Sequence, residues 1–289
     1  MFKKKKDQTY QSYWSISWNI FKKNKVAMVC LFIVILLCLI ALFAPLIAPY
    51  DPNKQVLTDR LMKPCGQHWF GTDDLGRDIF SRIIYGCRVS LSVGIISQII
   101  ATVIGYTMGV CAGYYGGKVD SVISFLIQVF SSFPFLLFAM AIMFVLGPGL
   151  INLYLALGLL GWASTARLIR GDVMRLKKME YIDACKVSGG NSFRIIMKHL
   201  LPNCLSTLIV TVTLGIPNAI MSEASLSFLG LGVKAPMASW GSMRSFSQPY
   251  IRSATYYSVI PGLAIIITVL AFNMLGDGLR DALDPKLRS

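Results

Sequence analysis

Six long apolar runs constrain the fold of this 289-residue chain more than any other feature. A helix needs about 20 apolar residues to cross the hydrocarbon core of a bilayer. The predicted transmembrane helices are residues 26–48, 89–112, 121–146, 150–166, 205–228 and 258–276. Only 15% of the residues are charged, against about 25% in a typical soluble domain. The chain is therefore predicted to be an all-α integral membrane protein with six transmembrane helices.

The basic residues predict the orientation of these helices. About two thirds of the 28 Lys and Arg residues fall in segments that lie on the same side as the N-terminus. The positive-inside rule then places both termini of this multi-pass protein in the cytoplasm. The formal net charge of +14 does not indicate a nucleic-acid partner, because the basic residues flank the apolar runs.

The N-terminal tail, residues 1–25, has an amphipathic pattern. Its aromatic residues recur at helical spacing and precede a cluster of lysines: Tyr10, Trp14, Trp18 and Phe21, then Lys22, Lys23 and Lys25. This pattern predicts a short helix at the inner surface of the lipid bilayer.

Small residues and prolines mark the predicted helices. Gly105 and Gly109 form a G-x-x-x-G pair, which allows two helix backbones to approach closely. Pro134 and Pro217 each remove a helical hydrogen bond and favour a kink.

A charged segment, residues 166–204, lies between the fourth and fifth apolar runs and is predicted to be cytoplasmic. It predicts two short helices separated by Gly189 and Gly190, since glycine adopts positive φ readily. The first has an apolar stripe after Asp172, formed by Val173, Leu176, Met179 and Ile182. The second is capped by Asn191 or Ser192, has an apolar face of Phe193, Ile196, Met197 and Leu200, and ends at Pro202.

The charged segment resembles the cytoplasmic "EAA loop" of ABC importer permeases. Asp183-Ala184-Cys185, Gly189 and His199-Leu200-Leu201-Pro202 match its spacing, with Asp183, Cys185 and His199 replacing Glu, Ala and Ile. Four further blocks resemble the dipeptide/oligopeptide/nickel (OppBC) branch, and the last two resemble its C-type subunit: residues 68–78, 112–117, 223–232 and 273–285.

This resemblance implies a type I ABC importer permease. Its expected partners are a second permease subunit, two ATPase subunits that bind ATP and Mg²⁺, and an extracellular substrate-binding protein. The chain itself is expected to hold no cofactor or metal and to have no ATPase site. Short peptides are the favoured substrate, with nickel or a metal chelate as the alternative. The residues expected to couple to an ATPase are Glu180, Asp183, Ala184, Gly189 and Pro202.

The expected organisation has five parts: a tail (1–25), a first transmembrane helix (26–48), an outer loop (49–88), an ABC transmembrane type-1 core (89–278) and a cytoplasmic tail (279–289). In the outer loop, Thr72 or Asp73 is predicted to cap a helix beginning near Asp74. The candidate contacts with the binding protein are Asp73, Asp74, Arg77 and Asp78. Arg82 and Arg88 are predicted to lie at the outer surface.

Glu223 is the carboxylate predicted to lie within an apolar run, towards its outer end. It is expected either to line the translocation path or to have a structural role, by pairing with Arg244 or satisfying helix ends in the following loop.

Two other classes of protein are weighed against a permease subunit. A stand-alone secondary transporter or channel requires polar residues around a mid-membrane cavity, and the apolar runs offer few of these. A membrane-embedded enzyme requires a catalytic motif, and neither H-E-x-x-H nor G-x-S-x-G occurs. The glycine-rich stretch 113–119 also lacks the spacing and the Ser or Thr of a Walker A loop.

Overall fold

The computed structural model describes residues 13–284, and side chains from residue 15 onward. This part of the chain is helical, with one isolated β-bridge between Thr72 and Asp78. The helices are α1 (Tyr13–Lys23), α2 (Lys25–Leu42), α3 (Ala44–Ile47), α4 (Ile79–Tyr115), α5 (Gly117–Ser132), α6 (Phe135–Leu146), α7 (Leu150–Leu176), α8 (Glu180–Val187), α9 (Ser192–Ile195), α10 (Leu201–Phe228), α11 (Trp240–Phe246) and α12 (Thr255–Leu283). A π-helical turn, Ile196–Leu200, joins α9 to α10 without a break.

Four helices of the described chain are long and apolar enough to cross a membrane: α2, α4, the continuous helix Ser192–Phe228, and α12. The bent pair of α5 and α6 makes a fifth if it is counted as one span. Helix α7 is not among these, although it packs along α4. Four to five apolar spans are thus present, and the count of six stays a prediction.

The predicted span 121–146 is wrong as a single helix. The chain breaks at Phe133 and Pro134, and α5 and α6 meet at 90°. Pro134 has no backbone N–H, and a proline disfavours helical geometry at the residue before it, here Phe133. Pro217 does not break the chain into two helices: α10 continues through it.

Two other predicted boundaries are also wrong. Helix α4 begins at Ile79, ten residues before the predicted 89, because the Asp78 carboxylate accepts a hydrogen bond from the Ser81 N–H and caps the helix there. Thr72 and Asp73 therefore do not cap it. Helix α7 continues to Leu176, past the predicted 166, since the apolar face of the helix continues through Ile169 and Val173, which are fully buried.

Glycines bring α4 and α7 into close contact, as the sequence predicts. A Cβ placed on Gly105 would lie 2.6 Å from the Thr165 Cβ, and one on Gly109 would lie 2.7 Å from the Ala166 carbonyl oxygen. No larger residue fits at either position without moving α7. These contacts hold α4 and α7 together along much of their length.

Helix α1 lies against the bundle. Phe21 is buried in a cluster with residues of α2 and α12, whereas Trp18 is 45% exposed and stacks on Phe21. Lys22 lies 5.3 Å from the Trp18 ring centroid. The predicted amphipathic helix is thus present over its described part, while Tyr10 and the Trp14 side chain lie outside the described residues.

Candidate functional site

The charged segment begins within the last turns of α7 and contains α8, α9 and the first residues of α10. Gly189 follows the end of α8 and has φ of 81°. Asn191 caps α9 by accepting a hydrogen bond from the Arg194 N–H, as predicted. The two predicted short helices are present as α8 and α9, but the first begins at Glu180 instead of near Asp172, because a turn at residues 177–179 separates α7 from α8. Pro202 does not end a helix either; it lies in the first turn of α10, directly after the π-helical turn.

Three aliphatic side chains anchor the charged segment to the transmembrane helices. Ile182, Ile195 and Leu200 are at most 1% exposed and belong to a cluster that includes Val110 of α4 and Val173 of α7. The segment is therefore packed onto the bundle and does not hang from it as a flexible loop.

The exposed side of the charged segment carries large apolar residues. Val187 is 89% exposed and Phe193 is 72% exposed. The predicted apolar face of the second helix is divided, because Phe193 and Met197 are exposed whereas Leu200 lies in the buried cluster with Ile195. The five residues expected to couple to an ATPase are all exposed: Glu180, Asp183, Ala184, Gly189 and Pro202. Val187 and Phe193 are exposed as well, and neither was among the residues expected to couple to an ATPase.

Polar contacts also connect the charged segment to α4. The Lys177 Nζ donates to the Tyr114 carbonyl oxygen at 2.5 Å and lies 5.7 Å from the Tyr114 ring centroid. A cation at this position is favourable, because the last carbonyl groups of a helix carry partial negative charge. The Tyr114 hydroxyl in turn donates to Ser192 Oγ at 3.4 Å. The end of α4 thus contacts both the beginning and the second helix of the segment.

A large groove runs along the bundle from the charged segment. Its volume is about 1790 Å³, and its walls are α5, α6, α7 and α10, with Gln98 of α4 and the end of α12. Its charged lining residues lie together at the end near the charged segment: Asp172, Arg175, Arg280 and Asp284. Hydroxyl, amide and apolar side chains line the remainder. The groove is therefore charged at one end and lined by a mixture of apolar and neutral polar side chains along the rest.

Glu223 is fully buried in α10 and lies outside the lining of this groove. Its Oε1 accepts hydrogen bonds from Ser227 Oγ at 2.7 Å and Ser239 Oγ at 2.6 Å. The predicted pair with Arg244 is wrong, because Arg244 donates to Ser258 Oγ at 2.6 Å instead. Ser239 caps α11, so Glu223 ties the end of α10 to the start of α11.

The loop before α4 is held by a buried ion-pair cluster. Arg77 Nε lies 2.6 Å from Asp73 Oδ2, and Arg77 is 3.8 Å from Asp74, as expected from their spacing. Arg82 is 1% exposed and donates to the Pro52 carbonyl oxygen, so its predicted place at the surface is wrong. The nearby Asp73 carboxylate, 3.4 Å away, favours this burial.

The candidate contacts with a binding protein differ in exposure. Asp73, Arg77 and Asp78 are buried, and Asp78 accepts hydrogen bonds from Ser81. The Asp74 side chain is 24% exposed and accepts a hydrogen bond from the Tyr257 hydroxyl at 3.0 Å. These residues shape the loop and fix it to α4 and α12.

No group of three or more His, Cys, Asp or Glu residues suited to a metal ion occurs within residues 13–284. The described cysteines are all free thiols.

Solved structures share this fold. An inward-facing structure of the MetNI methionine ABC transporter matches with a TM-score of 0.58 at 19% identity, covering 71% of this chain and 98% of that one.

Sequence relatives cover almost the whole chain. The dipeptide transport system permease protein DppC of Bacillus subtilis is 46% identical over 96% of this chain and 87% of the relative. The oligopeptide permease OppC of the same organism is 42% identical, covering 96% and 91%. The glutathione permease GsiD of Pectobacterium atrosepticum is 41% identical, covering 98% and 95%.

Two family models match successive parts of the chain. Residues 12–64 match the N-terminal TM domain of oligopeptide transport permease C, and residues 102–289 match the binding-protein-dependent transport system inner membrane component. The second match covers well over half of the chain. With its apolar helices and its bacterial relatives, this chain belongs to the family of binding-protein-dependent transport system inner membrane components, as a multi-pass permease of the DppC/OppC type.

Proposed function

We propose that this chain is the C-type permease subunit of an ATP-driven importer of short peptides. It forms half of the translocation path, and a second permease subunit forms the other half. Two ATPase subunits bind ATP and Mg²⁺, and an extracellular binding protein delivers the peptide. The chain itself carries no ATPase site in this proposal.

The observation that carries this proposal is the anchoring of the charged segment. Ile182, Ile195 and Leu200 pack it against α4 and α7, and its second helix is continuous with α10, which lines the groove. A displacement of the segment by an ATPase is therefore passed directly to the walls of the groove. Glu180, Asp183, Ala184, Gly189 and Pro202 supply the contact surface, together with Val187 and Phe193.

The relatives support peptides as the substrate class. Their names specify dipeptides, oligopeptides and glutathione, which are all peptides. The neutral hydrogen-bonding side chains within the groove lining suit a peptide main chain.

The proposed topology has six transmembrane helices and both termini in the cytoplasm, with α7 as the additional span. Its five parts are a tail (1–25), a first transmembrane helix (26–48), an outer loop (49–88), an ABC transmembrane type-1 core (89–278) and a cytoplasmic tail (279–289). In this topology the loop before α4 faces outward and meets the binding protein, with Asp74 as the accessible acid. Labelling of single cysteines from either side of the membrane tests this arrangement.

The experiment is transport by the reconstituted complex. Proteoliposomes containing both permeases and both ATPases, supplied with the loaded binding protein, are expected to accumulate labelled dipeptide only with ATP and Mg²⁺. Uptake of nickel or a nickel chelate in place of peptide would support the metal alternative. ATP-independent uptake by this chain alone would support a secondary transporter or channel and overturn the proposal.

A further inference from the structure

One face of α10 presents hydrogen-bond acceptors to the groove. The acceptor stripe consists of Thr211, Asn218, Ser222 and Ser225, which all line the groove. Their spacing of seven, four and three residues keeps them on one side of a helix.

Each of the three hydroxyl groups in the stripe donates its proton to a main-chain carbonyl oxygen of α10. Thr211 donates to the Thr207 carbonyl at 2.7 Å, Ser222 to that of Asn218 at 2.8 Å, and Ser225 to that of Met221 at 2.9 Å. A hydroxyl has one proton and two acceptor lone pairs, so each oxygen keeps acceptor capacity. Asn218 likewise uses an Nδ2 proton on the Leu214 carbonyl and keeps its Oδ1. The stripe therefore offers mainly acceptors.

Gln98 adds an acceptor near the midpoint of α4. It lies one residue from the midpoint of α4, lines the groove and is only 9% exposed. Its Nε2 donates to Thr102 Oγ1 at 3.3 Å, whereas no donor within residues 13–284 reaches its Oε1. Because Gln98 lines the groove, an amide oxygen that has no donor from the protein can accept one from a ligand.

The position of Gln98 depends on Gly215, which lies at the middle of α10. A Cβ on Gly215 would lie 2.1 Å from the Gln98 Oε1, so only glycine leaves room for this amide between α4 and α10. Gln98 thus lies beside the part of the stripe between Thr211 and Asn218.

We propose that Gln98 and the acceptor stripe form a mid-membrane subsite that receives the N–H groups of a peptide, namely its main-chain amides and its terminal ammonium group. This inference rests on the proposed peptide import. Side chains of the peptide are not read by the subsite, because every ligand of this class shares the main chain. A series of neutral acceptors also permits release, since none of them binds the ammonium group as tightly as a carboxylate would.

The test compares two threonines of α10. Thr211 and Thr213 each donate to the carbonyl four residues earlier, at 2.7 and 2.9 Å, but only Thr211 lines the groove. Thr211→Val and the control Thr213→Val remove the same group at the same cost to the helix. Gln98→Met is paired with Gln128→Met, because Gln128 lies on α5 outside the groove lining.

The measurement uses the full reconstituted complex with saturating trialanine or its N-methylated analogue, so that the binding protein is loaded in every case. The wild type is expected to import trialanine several-fold faster than the analogue. In Thr211→Val and Gln98→Met, trialanine uptake falls about three- to tenfold, and the preference over the analogue falls towards one. The two control variants keep the wild-type rate and preference.

Each failure has a separate cause. A wild-type complex that imports no trialanine would contradict the proposed function itself. Wild-type import with an unchanged preference in Thr211→Val overturns the subsite alone. If Gln98→Met does not assemble with its partners, Thr211→Val decides the question.

Discussion

The Asp120 carboxylate and the Arg170 guanidinium form a two-point ion pair that joins α5 to α7. Arg170 Nε lies 2.5 Å from Asp120 Oδ1, and Arg170 Nη2 lies 2.7 Å from Asp120 Oδ2. The Arg170 side chain is 31% exposed and the Asp120 side chain is 21% exposed. The two-point geometry distinguishes this pair from the single-contact pair of Lys186 and Asp183.

Asp120→Asn is expected to destabilise the chain by about 1 kcal/mol, because it removes the charge from a two-point pair that is only partly screened by water. Asp183→Asn is the control, since its pair has one contact and is more exposed. It is expected to change stability by less than about 0.5 kcal/mol. Thermal unfolding in detergent measures both; equal effects would contradict the assigned role of the Asp120 pair.

Gly189→Val is expected to destabilise the turn between α8 and α9, and to do so without any steric clash. Gly189 has φ of 81° and no atom within 4 Å of a built Cβ, so the cost is backbone strain of about 1–2 kcal/mol. Gly171→Ala is the control, because it also has open space but lies within α7. Peptide-stimulated ATPase activity of the complex should fall in Gly189→Val and stay at the wild-type level in Gly171→Ala.

Phe193→Ala is expected to weaken binding of the ATPase subunits while leaving this chain folded. The Phe193 side chain is 72% exposed, so its removal leaves no cavity. A buried aromatic anchor in an interface contributes about 2 kcal/mol or more, which corresponds to roughly 30-fold in affinity. Phe125→Ala is the control, since Phe125 is 64% exposed on α5, away from the charged segment. Titration of the ATPase onto permeases in nanodiscs measures both affinities, and equal losses would contradict this docking surface.

Glu223→Gln is expected to keep peptide uptake within about twofold of the wild type. The Gln Oε1 can still accept from Ser227 and Ser239, and Glu223 lies outside the groove lining. Glu223→Ala instead leaves both buried hydroxyl groups without their acceptor and is expected to cost about 2–3 kcal/mol. A large loss of uptake in a stable Glu223→Gln complex would show that the carboxylate acts in transport.

The sequence predicted the helical runs better than their ends. Apolar length located the helices, but local capping decided where they begin, and Asp78 rather than Thr72 or Asp73 supplies the cap of α4. Periodicity identified an apolar face in the charged segment but did not distinguish inward from outward residues. Phe193 and Ile195 are both apolar, and only the packing against α4 and α7 buries Ile195.

The groove was harder to predict because it depends on contacts between helices distant in sequence. The spacing of Thr211, Asn218, Ser222 and Ser225 is a helical pattern visible in the sequence. Gln98 is likewise visible as an amide within an apolar run. What the sequence does not reveal is that Gly215 leaves space for that amide, since this requires α4 and α10 to be neighbours.

The length of α4 gives its midpoint a particular mechanical role. Its 37 residues span about 55 Å, nearly twice the thickness of a hydrocarbon core of about 30 Å. Asp78 fixes one end to the loop before it, and Tyr114 contacts the charged segment at the other. A tilt of about 10° around the midpoint moves each end by about 5 Å, in opposite directions. In the proposed importer Gln98 lies next to this midpoint, so a contact between Gln98 and a peptide moves little while the two ends of α4 move in opposite directions.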